Sequence, residues 1–329
     1  MDCYQPNYIS LYNSGELAER AERLWQRLVD CDICPRKCGA DRLKGKTGFC
    51  HSAEKPIIAS VCAHHGEEPV LSGSRGSGAI FFGNCNLKCR YCQNYQISQN
   101  HRQQKAKETD CASLARHMLR LQDELGCHNI NFVSPSHFVP QIVKALLEAI
   151  PMGLKIPLVY NSNGYDSLET LKELDGVIDI YLPDLKYASD VYARKFSKAR
   201  EYVFHSRNAI KEMFRQVGEL VFDDESIAQR GVIVRHLVLP NNTSGSRESL
   251  NWLAQEVSPK VSVSLMSQYH PMHKAYKYSL ISRPVKPSEY DEALAALEAA
   301  GLEEGWAQQM PSHKNYLPDF DKKDYPFSP

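Results

Sequence analysis

Cys85, Cys89 and Cys92 stand close together in the run Gly83-Asn84-Cys85-Asn86-Leu87-Lys88-Cys89-Arg90-Tyr91-Cys92-Gln93-Asn94, directly after the apolar stretch Ala79-Ile80-Phe81-Phe82. Three thiolates at this spacing can hold three irons of a [4Fe–4S] cluster. Such clusters are ordinarily held by four cysteines, so a set of three leaves one iron open to a substrate or cofactor. A zinc knuckle also uses closely spaced cysteines, but structural zinc sites close with four ligands. The next His or Cys is His101, beyond a polar stretch. The spacing favours the cluster.

A second set, Cys31, Cys34, Cys38 and Cys50, supplies four thiolates, enough for a closed site. Zinc accepts such a set, and so does an auxiliary [4Fe–4S] cluster. The Cys-x2-Cys start suits both, whereas the spacings to Cys38 and Cys50 fit neither signature cleanly. Arg36, Lys37, Arg42, Lys44 and Lys46 would offset the negative charge of a four-thiolate centre. Both metals stay open, with a lean to iron–sulfur because the chain already calls for cluster assembly. Cys3, Cys62, Cys111 and Cys127 are scattered and read as small buried hydrophobes.

The chain has 329 residues, 43% hydrophobic and 24% charged, a globular profile with room for one large domain and an appendage. Acidic and basic residues balance at 39 each, so net charge points to neither nucleic acid nor an anionic membrane. The start, Met-Asp-Cys-Tyr-Gln-Pro, lacks the charged and apolar regions of a secretory signal, and no apolar run approaches bilayer length. A cytoplasmic protein is expected, and eleven cysteines there argue for metal binding over disulfides.

These residues need a scaffold. Ser14 can cap a helix with Leu17, Ala21, Leu24 and Leu28 at helical spacing, leading into a turn-rich module with Pro35, Gly39, Gly45 and Gly48. The segment Ser72-Gly73-Ser74-Arg75-Gly76-Ser77-Gly78 reads as a junction. Beyond it, short apolar runs alternate with helical patterns, which predicts βα units and a parallel sheet. Strands are expected at Ala79–Phe82, Asn129–Val133, Leu158–Asn161, Ile178–Leu182, Val232–Leu239 and Val261–Met266. Helices are expected near 110–125 (ended by Gly126), 140–150 (Pro140 in its first turn), 167–174 (a capping-box-like Asp166-Ser167-Leu168-Glu169), 201–217, 247–256 and 289–300 (capped by Ser288, stopped by Gly301). The fold class is α/β, a partial (β/α)6 barrel over 73–300, with a Cys-rich module at 1–72 and a tail at 301–329. In such barrels chemistry gathers at the C-terminal strand ends, where the three-cysteine loop falls.

With Tyr91 just before the third cysteine, the loop resembles the radical S-adenosylmethionine (SAM) superfamily. Gly66-Glu67-Glu68-Pro69, Arg75-Gly76-Ser77-Gly78, Cys92-Gln93-Asn94-Tyr95 and the upstream cysteine pattern further resemble the PflX-like branch, related to pyruvate formate-lyase activating enzymes. The resemblance implies that SAM chelates the open iron and meets the ends of later strands. Where activating enzymes carry a Gly-Gly-Glu-like loop, this chain has Ser134-Pro135-Ser136-His137. Ser134, Ser136 or His137 would supply polar contacts there or cap the Pro140 helix. Asn161-Ser162-Asn163-Gly164 resembles their Asp-Thr-Asn-Gly turn, and Asp184-Leu185-Lys186 matches their Asp-Leu-Lys, whose Lys contacts the SAM carboxylate. Asn161 in place of a carboxylate weakens any monovalent-cation site. His270, in Gln268-Tyr269-His270-Pro271, falls where relatives place a His beside SAM, whereas His236 reads as structural.

The resemblance implies an oxidoreductase that cleaves SAM reductively to a 5′-deoxyadenosyl radical, which abstracts hydrogen from a substrate. It also implies a low-potential donor such as flavodoxin or ferredoxin, and a glycyl radical enzyme as the most specific substrate. The alternatives are modification of another protein, peptide or small molecule, and a non-catalytic iron–sulfur redox sensor.

Overall fold

In the computed structural model, which describes residues 4–310, 318–322 and 325–327, nine strands form one sheet. They are β1 (Ile58–His64), β2 (Ser77–Phe82), β3 (Ile130–Val133), β4 (Leu158–Ser162), β5 (Ile180–Pro183), β6 (Val221–Phe222), β7 (Ala228–Leu237), β8 (Ser262–Met266) and β9 (Gly305–Ala307). The order is β1-β2-β3-β4-β5-β7-β8-β9, with β6 paired to β7 alone. β2 to β5, β7, β8 and β9 run parallel, and β1 and β6 pair antiparallel. Each of the six expected apolar runs is one of the parallel strands. They read as continuous apolar runs because parallel strands are covered on both faces. β1 was hidden by its half-exposed residues, and β6 and β9 are only two and three residues long.

Helices cover the outer face of the sheet. Cys111–Asp123 starts where Asp110 accepts from the Ser113 N–H, and the chain turns away at Gly126 with φ +62°. Val139–Ala149 carries Pro140 in its first turn, where no intrahelical N–H is needed. Leu24, Leu114, Met118, Ile142, Leu146, Phe132 and Tyr160 pack in the layer between helices and sheet. Inside the barrel, the short helix Pro69–Ser72 inserts Leu71 among Val159, Ile180, Leu182, Ala228 and Ile233. His64 pairs with Ser77, so this turn sits at the N-terminal ends of the strands and closes the floor.

Three expected caps are different. Gly15, with φ +83°, occupies the N-cap of Glu16–Gln26, while the Ser14 hydroxyl turns back to Leu11 O. Lys286 caps Pro287–Ala299, its N–H reaching the Glu289 carboxylate at 2.9 Å, and Ser288 lies inside the first turn. Asp166 forms no capping box. It is drawn inward to accept from Tyr160 at 2.9 Å and Ser162 at 2.6 Å. The helix Asp190–Ser197 was not anticipated. Cys3 and parts of the expected tail (311–317, 323–324 and 328–329) lie outside the described residues. Among those described, no helix is long and apolar enough to cross a membrane.

The N-terminal segment is tied to the sheet by Asp179, which accepts from the Tyr4 hydroxyl at 2.6 Å and the Leu158 N–H at 2.8 Å. Burial pushes its carboxyl up to about 7 from 3.8, the hydrogen bonds pulling the other way. Between those values the folded state holds a proton that the unfolded chain has released. Its contribution to stability is therefore full below about pH 4 and is lost as pH rises toward 7. In urea unfolding at a series of pH values, Asp179→Asn should flatten this fall relative to the wild type. Parallel pH profiles for the two proteins would refute it.

Candidate active site and cysteine sites

The three-cysteine loop leaves the C-terminal end of β2 and turns at once. Gly83 donates to Ile57 O at 2.9 Å, and a β-carbon there would collide with the Ile57 side chain. Asn84 follows in the left-handed region, donating from its backbone to Ile97 O at 2.8 Å and from its amide to His51 O at 3.1 Å. Lys88 and Arg90 then donate to Ser197 O at 3.1 Å and Phe196 O at 2.7 Å. These carbonyls end the helix Asp190–Ser197 and have no partner within it. Lys274 closes the arrangement by donating to Arg90 O at 2.7 Å.

The sulfurs lie inside this frame. Cys85 Sγ accepts from Leu87 N at 3.3 Å and Asn163 Nδ2 at 3.4 Å. Cys89 Sγ lies 3.0 Å from Ser197 Oγ, and Cys92 Sγ 3.2 Å from Ser98 Oγ. Burial, reinforced by Cys89, pushes the Cys85 thiol up to about 11 and Cys92 up to about 12. Burial also raises Cys89, against the pull of Lys186. Three thiols surrounded by hydrogen-bond donors fit the thiolate set of an iron–sulfur cluster.

All three cysteines line one cavity of about 790 Å³ in the barrel mouth, together with Ser134, Asn163, Asp184 and Lys186 from the ends of β3, β4 and β5. Ser134 is turned in by a left-handed backbone, its N–H held by Asn161 O at 2.9 Å. Asn163 donates to Asn86 Oδ1 at 2.7 Å, which joins the β4 turn to the cysteine loop. The next residue, Gly164, has φ +75° and packs where a β-carbon would strike Asp184 O. Lys186 is ion-paired with Asp184. Burial lowers its affinity for a proton, but Asp184 and Cys89 outweigh that and hold it above its ordinary value.

Two expected residues are placed elsewhere. Ser136 is buried beside Tyr160 and Asp166. After β8, Gln268 and Tyr269 line the cavity, and His270 is not among its lining residues. His137 bonds Gly83 O at 3.0 Å behind the loop. His236 is fully buried between Leu185 O at 2.8 Å and Ser246 Oγ at 3.0 Å.

The cavity also holds charges that sequence reasoning passed over. Arg235 on β7 reaches Glu68 at 2.6 and 2.8 Å, is paired with Glu67, and lies 3.4 Å from Asn161 Oδ1. Burial opposes its charge, but the two glutamates raise Arg235 well above the ordinary guanidinium value. Burial likewise pushes Glu68 up, yet Arg235 outweighs it and holds the carboxyl below its usual value. Gly66-Glu67-Glu68-Pro69 was visible as a motif, but its partner lies 167 residues further on, beyond any spacing rule.

Cys31, Cys34, Cys38 and Cys50 line a separate cavity of about 10 Å³ with Arg36, Arg42, Phe49 and His137. Arg42, 1% exposed, donates to Ala53 O at 2.7 Å and His137 O at 2.7 Å and approaches Cys31 Sγ at 3.9 Å. Among the described residues, no three His, Cys, Asp or Glu side chains stand close enough together to hold one metal ion. Arg36 links the two cysteine sets, donating to Asn86 O at 2.9 Å and stacking 3.7 Å over Phe49.

Comparison with known proteins adds family membership. The chain is 30% identical over 277 residues to the uncharacterized protein MJ0674 of Methanocaldococcus jannaschii, covering 83% of this chain and 76% of that one. Among solved structures it resembles SuiB of Streptococcus suis bound to S-adenosylmethionine (TM-score 0.46, 12% identity, 71% of this chain and 50% of that one). It also resembles the FeFe-hydrogenase maturase HydG of Carboxydothermus hydrogenoformans (TM-score 0.43, 14% identity, 71% and 54%). The chain spans about half the length of these two structures. Residues 79–253, from β2 through most of the helix after β7, match the model of the radical SAM superfamily. That match takes in more than half of the sequence, and the chain belongs to the radical SAM superfamily, whose members bind a [4Fe–4S] cluster and SAM.

Proposed function

We propose that this chain is a radical SAM enzyme in which Cys85, Cys89 and Cys92 hold the cluster and Ser134, Asn163, Asp184 and Lys186 position SAM. The observation that carries the reading is that these seven side chains open into one cavity at the C-terminal strand ends. When bound and reduced, the cluster supplies the electron that splits SAM into methionine and a 5′-deoxyadenosyl radical. The chain's own part is binding, orientation and exclusion of water. Lys186, cationic and largely buried, suits the SAM carboxylate. Tyr91 and Tyr269, edge to face at 5.6 Å, close the wall beside the cysteine loop. Arg235 approaches Asn161, so a monovalent cation beside that amide would face a guanidinium.

The motifs of the first barrel half support the PflX-like branch and, with it, hydrogen abstraction from the backbone of a glycyl radical enzyme, driven by flavodoxin or ferredoxin in the cytoplasm. One observation favours the second reading, a different protein, peptide or small molecule. The Glu67–Arg235–Glu68 group places buried charges in the cavity wall that a glycine backbone does not need. For the second cysteine set, we propose an auxiliary centre held by Cys31, Cys34, Cys38 and Cys50. Their shared cavity and the surrounding arginines support it.

Anaerobically reconstituted and reduced protein should convert SAM to 5′-deoxyadenosine and methionine, and Cys85→Ala, Cys89→Ala and Cys92→Ala should each abolish this. Undiminished turnover in any of these variants would sink the ligand assignment, and a folded, cluster-loaded wild type that leaves SAM intact would favour the redox sensor.

The triple Cys85/Cys89/Cys92→Ala variant should still bind metal. About four iron and four sulfide per chain would identify an auxiliary cluster, and one zinc a structural site. A folded triple variant without metal would exclude both.

Lys186→Ala should weaken SAM binding by about 1.5–3 kcal/mol, the worth of hydrogen bonds to charged groups. Titration of SAM into protein of matched iron content reads this directly, and wild-type affinity would remove Lys186 from the carboxylate.

A further inference from the structure

A line of buried hydroxyls ends on one of the three cysteines. Ser197 Oγ lies 3.0 Å from Cys89 Sγ, Tyr187 Oη 2.7 Å from Ser197 Oγ, and Tyr91 Oη 2.7 Å from Tyr187 Oη. Ser197 and Tyr187 are fully buried and Tyr91 is 5% exposed. We propose that Ser197, backed by Tyr187 and Tyr91, is a positioning residue that donates to the Cys89 sulfur and sets the reduction potential of the cluster held there. The proposal rests on the reading of Cys85, Cys89 and Cys92 as cluster ligands.

Proton counting fixes the direction of the line. Each hydroxyl has one proton to give, and each of the three contacts requires one. A thiolate bound to iron can only accept. Ser197 therefore gives its proton to sulfur, Tyr187 gives its own to Ser197, and Tyr91 gives its own to Tyr187. Each bond polarises the next, so the oxygen nearest the sulfur becomes the strongest donor. Cys85 and Cys92 have donors too, at 3.3, 3.4 and 3.2 Å, all longer than the Ser197 contact.

The line is also held in place from both ends. The Ser197 and Phe196 carbonyls take the Lys88 and Arg90 N–H groups, which flank Cys89. Tyr187 directly follows Lys186, so the chain segment that brings a cation into the cavity also brings a hydroxyl to the cysteine loop. Hydrogen bonds to the sulfurs of an iron–sulfur centre are among the terms that set its potential. They draw electron density from sulfur and favour the more negative reduced state. Losing this donor makes the cluster harder to reduce.

The test is an electron-paramagnetic-resonance redox titration of full-length, anaerobically reconstituted protein with matched iron content and no SAM. Ser197→Ala, which keeps the helix end, should shift the midpoint to more negative potential. Tyr187→Phe, which keeps the ring and cuts the line one step back, should shift it the same way by less. A midpoint that is unchanged or more positive in Ser197→Ala, or unchanged in Tyr187→Phe, overturns the proposal. Failure of the underlying reading looks different. Wild-type protein would then show no reducible cluster, or a cluster would survive in Cys89→Ala, and the proposal would fall with it.

Discussion

The loop from Gly83 to Cys92 must turn three sulfurs into a cavity while five of its ten residues, Gly83, Asn84, Asn86, Leu87 and Tyr91, are buried. Buried N–H and C=O groups need partners, and a loop cannot supply them to itself. Here they come from several places outside it, among them Arg36 in the second cysteine module, Ile57 before β1, Ile97 in the short helix Tyr95–Ser98, the end of the Asp190–Ser197 helix, and Lys274 after β8. The geometry of the cysteines thus depends on elements spread over most of the chain. It also explains why the loop sits on a helix C-terminus, where unpaired carbonyls are available and a run of N–H groups is needed.

The same economy governs the cavity's charges. Asp184–Lys186 and Glu67–Arg235–Glu68 are ion groups with side chains 22% exposed or less. Removing one partner from such a group costs on the order of 3–5 kcal/mol, because an uncompensated charge is left in a poor solvent. These groups are therefore weak evidence for stability and better evidence for use. They hold fixed charges in the wall of the cavity that the three cysteines also line. Arg36 acts between sites, contacting the three-cysteine loop at Asn86 while packed on Phe49 beside the second cysteine cavity.

By itself the sequence determined the barrel and the loop. Six apolar runs flanked by helical patterns specify parallel strands, because both faces of such strands are covered and a local pattern records it. The spacing of Cys85, Cys89 and Cys92 after the first of them carries its meaning locally too. Asp184-Leu185-Lys186 and Ser134 were legible because they follow strands directly, and strand ends of a barrel face one mouth. Only the tertiary structure decided the rest. Asp166 turned inward, since a buried carboxylate draws in neighbouring hydroxyls, here those of Tyr160 and Ser162. Ser136 was buried on the same side rather than in the cavity. His270 was set aside from the cavity when Gln268 and Tyr269 took the wall. Arg235 and its glutamates, and the hydroxyls leading to Cys89, join residues as much as 168 positions apart. No spacing rule reaches across that distance, because it is the closure of the sheet that brings those residues together.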